Sequence, residues 1–106
     1  MTIYTGEPLE LLQMFVEDTQ SHLEITSLAI ANLDFELLAK EAHHLKGSSA
    51  NVGVNTMHIA AEKLEHLALK QERRGTTELI CELGEFINRI QAFLTSSSKY
   101  LLINKQ

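Results

Sequence analysis

Apolar residues recur every three or four positions through almost the whole chain, a period that fits α-helix and excludes alternating strands. Short clusters of turn-forming residues interrupt it at Gly6-Glu7-Pro8, Asn32 to Asp34, Gly53 to Asn55 and Gly75 to Thr77. The first segment spans about 8–32, and Pro8 suits a first helical turn, where its missing N–H is no loss. Its stripe is Leu9, Leu12, Phe15, Val16, Thr19, Leu23, Thr26 and Ile30. Leu11, Met14, Ile25 and Leu28 fall off that stripe, so they either widen the buried face or form a second apolar patch.

The second segment spans 35–52, with Asp34 as N-cap and Gly53 as the left-handed residue that ends it. Its stripe is Phe35, Leu38, Ala42, Leu45, Ser49 and Val52. The third is predicted over 56–74, capped by Asn55, with Met57, Ala60, Ala61, Leu64, Ala68 and Gln71 facing inward. Arg73 and Arg74 would complement its dipole, and Gly75 would stop it. The fourth runs from 77 to 95 or longer, with Leu79, Ile80, Leu83, Phe86, Ile87, Ile90, Phe93 and Leu94 as its stripe. Four amphipathic helices on short connections predict an all-α fold, an antiparallel up-down-up-down four-helix bundle, as a single domain over 1–106.

Composition narrows the partners. With 106 residues, 44% apolar and 22% charged, the chain is suited to one folded core. The net charge of −5 and scattered basic residues exclude a phosphate-backbone footprint, so nucleic acid is not expected. No apolar run reaches the ~18 residues of a membrane span, and the N-terminus lacks a secretory pattern. One cysteine, Cys81, excludes a disulfide framework and a cysteine zinc site and favours a reducing cytoplasm.

The chemically unusual stretch is Ala42-His43-His44-Leu45-Lys46-Gly47-Ser48-Ser49. On a helical wheel His43 points roughly 125° from the inner stripe, towards solvent. Around it stand Ala39, Lys46, Gly47 and Ala50: three small residues that leave room for a partner, and one ammonium. His44 projects on the other side among Lys40, Glu41, Ser48 and Asn51. Gly47 is a poor residue for mid-helix, costing ~1 kcal/mol against Ala. It suits either helix packing or access to His43.

His43-x-x-Lys46-Gly47-Ser48-Ser49 followed by Gly53, with Ala42 before the histidine and Leu64-Glu65 on the next helix, resembles the signature of histidine phosphotransfer (HPt) domains. The resemblance covers nearly the whole chain. It implies a phosphorelay intermediate, a carrier rather than an enzyme that turns over alone. His43 would accept a phosphoryl group from a receiver-domain aspartate and pass it to another. The partners implied are response-regulator receiver domains and a hybrid sensor kinase. The Mg²⁺ and acidic cluster would sit on the receiver, with no cofactor on this chain. Lys46 would neutralise phosphoryl charge, and Glu65 would orient the imidazole. Leu11 and Met14 are candidates for receiver docking, their other reading being core. The chain is expected to be monomeric.

Two other classes compete. A metal-binding bundle is suggested by five histidines and many carboxylates. Glu41 and His44 make one Glu-x-x-His pair, but a di-metal bundle needs two. Glu62, Glu65 and His66 do not repeat the spacing, and His22 and His58 read as isolated surface residues. A non-phosphorylated interaction module is opposed by the intact His43, Lys46 and Gly47. The dimerisation hairpin of a sensor kinase would carry a proline after its histidine and an ATP domain, and neither is present.

Overall fold

The computed structural model describes residues 8–104, so Gly6 and Glu7 of the first turn cluster lie outside the described residues. Four helices and no strand are found among the described residues: α1 (Pro8–Ala31), α2 (Phe35–Val52), α3 (Asn55–Leu69) and α4 (Thr76–Asn104). Contacts join α1 to α2, α2 to α3, α3 to α4 and α4 back to α1, a closed ring in which each helix has two neighbours. No helix is long and apolar enough to cross a membrane.

The expected stripes build the core. Val16, Leu38, Ala42, Leu45, Met57, Ala61, Leu64 and Leu83 are fully buried, at 0% exposure. Ser49 is buried with them, its hydroxyl without a hydrogen-bond partner, where its small size lets neighbouring helices close in. Two stripe assignments fail. Phe93 is 56% exposed, because it stands at the edge of the face that Leu83, Ile87 and Leu94 bury. Gln71 is exposed and lies beyond the end of α3.

The helix ends follow one plan. After α2, Gly53 takes φ +79°, its N–H donates to Ala50 O at 3.1 Å, and the Val54 N–H donates to Ser49 O at 2.9 Å. This pair of bonds is a Schellman cap, which satisfies carbonyls left over at a helix end. The end of α1 repeats it with Leu33 at φ 54°, and the end of α3 repeats it with Gln71 at φ 57°. So α3 stops at Leu69 rather than continuing to Arg74, and Arg73 and Arg74 belong to the connection. Gly75 does not end α3; its carbonyl accepts the Leu79 N–H and so opens α4, which starts at Thr76 and runs on to Asn104.

Asp34 caps α2 as expected, its carboxylate accepting the Leu37 N–H at 3.1 Å. Asn55 is the first residue of α3, and Val54 before it makes no side-chain cap bond.

A left-handed conformation strains any residue with a Cβ by ~1–2 kcal/mol, of which glycine's larger unfolded-state entropy returns part. Gln71→Gly should therefore stabilise the fold by about 0.5–1 kcal/mol. That corresponds to roughly 2–8 °C in Tm. A thermal melt that stays level or falls would mean the cap is not strained.

Candidate functional site

Residues that are consecutive on a helix diverge by about 100°, so the paired histidines of α2 meet different neighbours. His43 turns towards α3. Its Nδ1 lies 3.0 Å from Glu65 Oε2, and the Lys46 ammonium donates to the other oxygen, Oε1, at 2.8 Å. One carboxylate therefore holds an imidazole and an ammonium, one on each oxygen. Glu65 is 17% exposed and His43 69% exposed, so the anchor is half-buried and the ring stands clear. With Nδ1–H donated to the carboxylate, the neutral ring keeps its lone pair on Nε2. No hydrogen bond to Nε2 forms among the described residues.

The two charges hold each other. The Lys46 hydrogen bond, and after it the His43 one, keep Glu65 below its ordinary 4.5 against the opposing effect of burial. The Glu65 hydrogen bond keeps Lys46 above its ordinary 10.5. A lowered carboxylate stabilises the fold above its unfolded value and loses that contribution as pH falls through the folded value. A raised ammonium stabilises below its unfolded value and loses it as pH rises through the folded one. The pair is thus whole across neutral pH. The stability difference between the wild type and Glu65→Gln should persist at neutral pH and shrink as pH falls below the ordinary 4.5 of a glutamate. Denaturant melts of both proteins against pH check this, and a difference that grows in acid contradicts the pairing.

The surroundings of His43 agree with the sequence in part. Gly47 is exposed, and a Cβ placed there would meet nothing within 4 Å, which removes helix packing as its explanation. Ala50 is exposed too. Ala39, expected on the open face, is half-buried against the core, because the buried side of α2 extends past its central stripe to Leu37 and Ala39. Gly84 also has open space around it, so an unfilled glycine is not by itself a sign of a site.

His44 turns the other way, towards α1. Its Nε2 bonds Asp18 Oδ2 at 2.8 Å, and its ring stacks on His22 with centroids 3.8 Å apart. His22 in turn bonds the buried carboxylate of Glu41 through Nδ1. His22 is therefore not an isolated surface residue. Neither is His58, which is half-buried and donates from Nδ1 to the Lys46 carbonyl at 3.1 Å, pinning α3 to α2 beside the Glu65 contact. Sequence reasoning missed both because each pairs across helices. The only local hint was the four-residue spacing of Asp18 and His22, one turn apart on α1.

Leu11 and Met14 are 55% and 62% exposed, so neither is core. Both share a face of α1 with Asp18, at spacings of three and four, and Asp18 reaches across to His44.

Comparison with curated proteins and with solved structures gave no match. The family model of the Hpt domain matches residues 10–95, a span that takes in α2, α3 and every contact of the His43 site. A match over most of the length, on a chain whose described residues form four helices, means that this chain belongs to the Hpt-domain family of phosphocarrier modules in two-component signalling.

Proposed function

We propose that this chain is the middle carrier of a phosphorelay, with His43 as the residue that takes the phosphoryl group. The observation that carries the proposal is the shared carboxylate: Glu65 holds His43 by Nδ1 and Lys46 by its ammonium, and the far edge of the ring faces solvent. In the forward step the Nε2 lone pair attacks the phosphorus of a receiver's phospho-aspartate. A nitrogen–phosphorus bond forms, the acyl phosphate oxygen–phosphorus bond breaks, and the aspartate leaves as a carboxylate. The positive charge that grows on the ring is balanced at Nδ1–H by Glu65. Glu65 is then a positioning residue, and Lys46 keeps further N–H groups to meet the phosphoryl oxygens. The second transfer reverses these bond changes onto another receiver. Mg²⁺ would be held by the receiver and would neutralise phosphoryl charge there.

His44 is the weaker candidate on the same grounds. Its ring is stacked and its Nε2 is bonded to Asp18. Gly47 and Ala50 leave the approach to His43 open, while Ala39 lies back against the core. Leu11 and Met14 supply an exposed apolar patch for the docked receiver. The carrier would act in the cytoplasm as a monomer, on a bundle whose helices run up-down-up-down. Its partners would be response-regulator receivers and a hybrid kinase.

The test is direct. The chain is mixed with a ³²P-labelled receiver domain and Mg²⁺, and label should pass to it and onward to a second receiver. The bound label should be acid-labile and base-stable, as a phosphoramidate is. No label from any cognate or heterologous receiver, or an acid-stable label, overturns the assignment.

A further inference from the structure

Among the described residues, a group of ligating side chains apart from His43 lies between α1 and α2. Asp18 and His22 come from consecutive turns of α1, and His44 comes from α2. One ligating atom from each lies within 4.8 Å of the other two. Asp18 presents Oδ1 to His22 Nε2 at 3.4 Å and Oδ2 to His44 Nε2 at 2.8 Å. Around a tetrahedral zinc ion with bonds of about 2.0–2.1 Å, neighbouring ligand atoms stand about 3.3 Å apart. Each imidazole nitrogen stands near that distance from its own oxygen of the Asp18 carboxylate, and Asp18 and His44 are exposed enough to adjust so that one oxygen serves both.

A second feature is what an accidental surface cluster lacks. Glu41 is buried, 7% exposed, and takes the Nδ1 side of His22. A carboxylate behind an imidazole fixes the tautomer that carries its N–H on that side and frees the lone pair on the other nitrogen. In that tautomer His22 Nε2 directs its lone pair at the Asp18 carboxylate, an arrangement that calls for a positive ion between them: a proton or a metal. The rings of His22 and His44 stack, so two imidazoles stand beside one carboxylate; turning the exposed His44 ring out of the stack would aim both lone pairs at one ion, and imidazole with one carboxylate suits zinc among the common divalent ions.

The geometry points to a zinc(II) site formed by Asp18, His22 and His44, with Glu41 as the carboxylate that orients His22 and a fourth position open to water. The site joins α1 to α2 on the side of α2 away from Glu65. It is independent of what His43 does, so loss of phosphotransfer and loss of zinc binding are separate results.

Calorimetric titration of the whole chain with zinc chloride tests it. One ion per chain is expected, with a rise in Tm on saturation. Asp18→Asn and His22→Gln should each weaken binding by about tenfold or more, and Glu41→Gln by about tenfold. His66→Gln, at an exposed position on α3, should leave it unchanged. Asp18 is exposed, so its variant keeps the fold and stands as the control if His22→Gln melts early; circular dichroism checks both. No measurable binding, or binding that survives either Asp18→Asn or a folded His22→Gln, overturns the site.

Discussion

His43→Gln is expected to abolish phosphoryl uptake from a labelled receiver, while His44→Gln keeps most of it. The two residues are adjacent and chemically identical, so the contrast isolates geometry. Glutamine has no nucleophilic lone pair of comparable basicity, and removing the nucleophile of a covalent transfer leaves no alternative route. His43 is highly exposed, so its replacement should cost little stability, and a melt within a degree or two of wild type would show that the loss is chemical. His44→Gln breaks the Asp18 bond and the stack on His22, so it should lower Tm slightly and leave transfer within a few-fold of wild type. Full labelling of the His43 variant, or loss confined to the His44 variant, would reverse the assignment.

The second large effect is expected at Gly47. It lies one turn from His43 on the exposed side of α2, where a Cβ would meet nothing. Gly47→Gln should fold well, gaining roughly 0.5 kcal/mol from helix propensity. The added side chain would occupy the space through which the phospho-aspartate must approach. Displacing reacting atoms by an ångström can cost about 100-fold, so transfer should fall by at least that much. Gly47→Ala provides the graded comparison: about 1 kcal/mol more stable than Gly and slowed far less. The signature is a protein that melts higher and transfers more slowly. If Gly47→Gln melts higher and transfers at the wild-type rate, the open ground around His43 has no part in receiver access.

Residues whose effect is local could be read from the sequence. Asp34 announces a cap because a short carboxylate before an apolar period has one common use, and Gly53 announces a stop because glycine tolerates the left-handed turn. The turn cluster at Asn32 to Asp34 marks the end of α1 although no glycine stands there, whereas the stop at Gln71 uses the same backbone geometry with neither glycine nor a turn cluster, so the sequence pattern extends α3 to Arg74. Gly75, the nearest glycine, reads as an ending but makes a beginning. The wheel placed His43 outward from its own helix alone, which is why that reading survives. Glu65, His22 and His58 depend on how one helix is rotated against the next, and no single-helix period contains that angle. Glu65 is implied by family resemblance; His22 and His58, with neither source, read as isolated surface residues. Leu11 and Met14 were ambiguous for a related reason: an off-stripe residue is core or surface according to whether a neighbour covers it.

The two histidines of α2 have a consequence for how such a carrier could change. Which imidazole meets Glu65 is set by azimuth, the angle at which each leaves the helix axis, and by nothing in the side chains themselves. A one-residue deletion in α2 ahead of them would advance the phase by about 100°. His44 would then take the bearing that now faces Glu65, and Leu45 the bearing that faces Asp18. A histidine would be kept at that bearing, while Lys46 and Gly47 would arrive out of step with it. Phase, unlike residue identity, cannot drift by small amounts, so the histidine, its ammonium and its clearing can move along the chain only together.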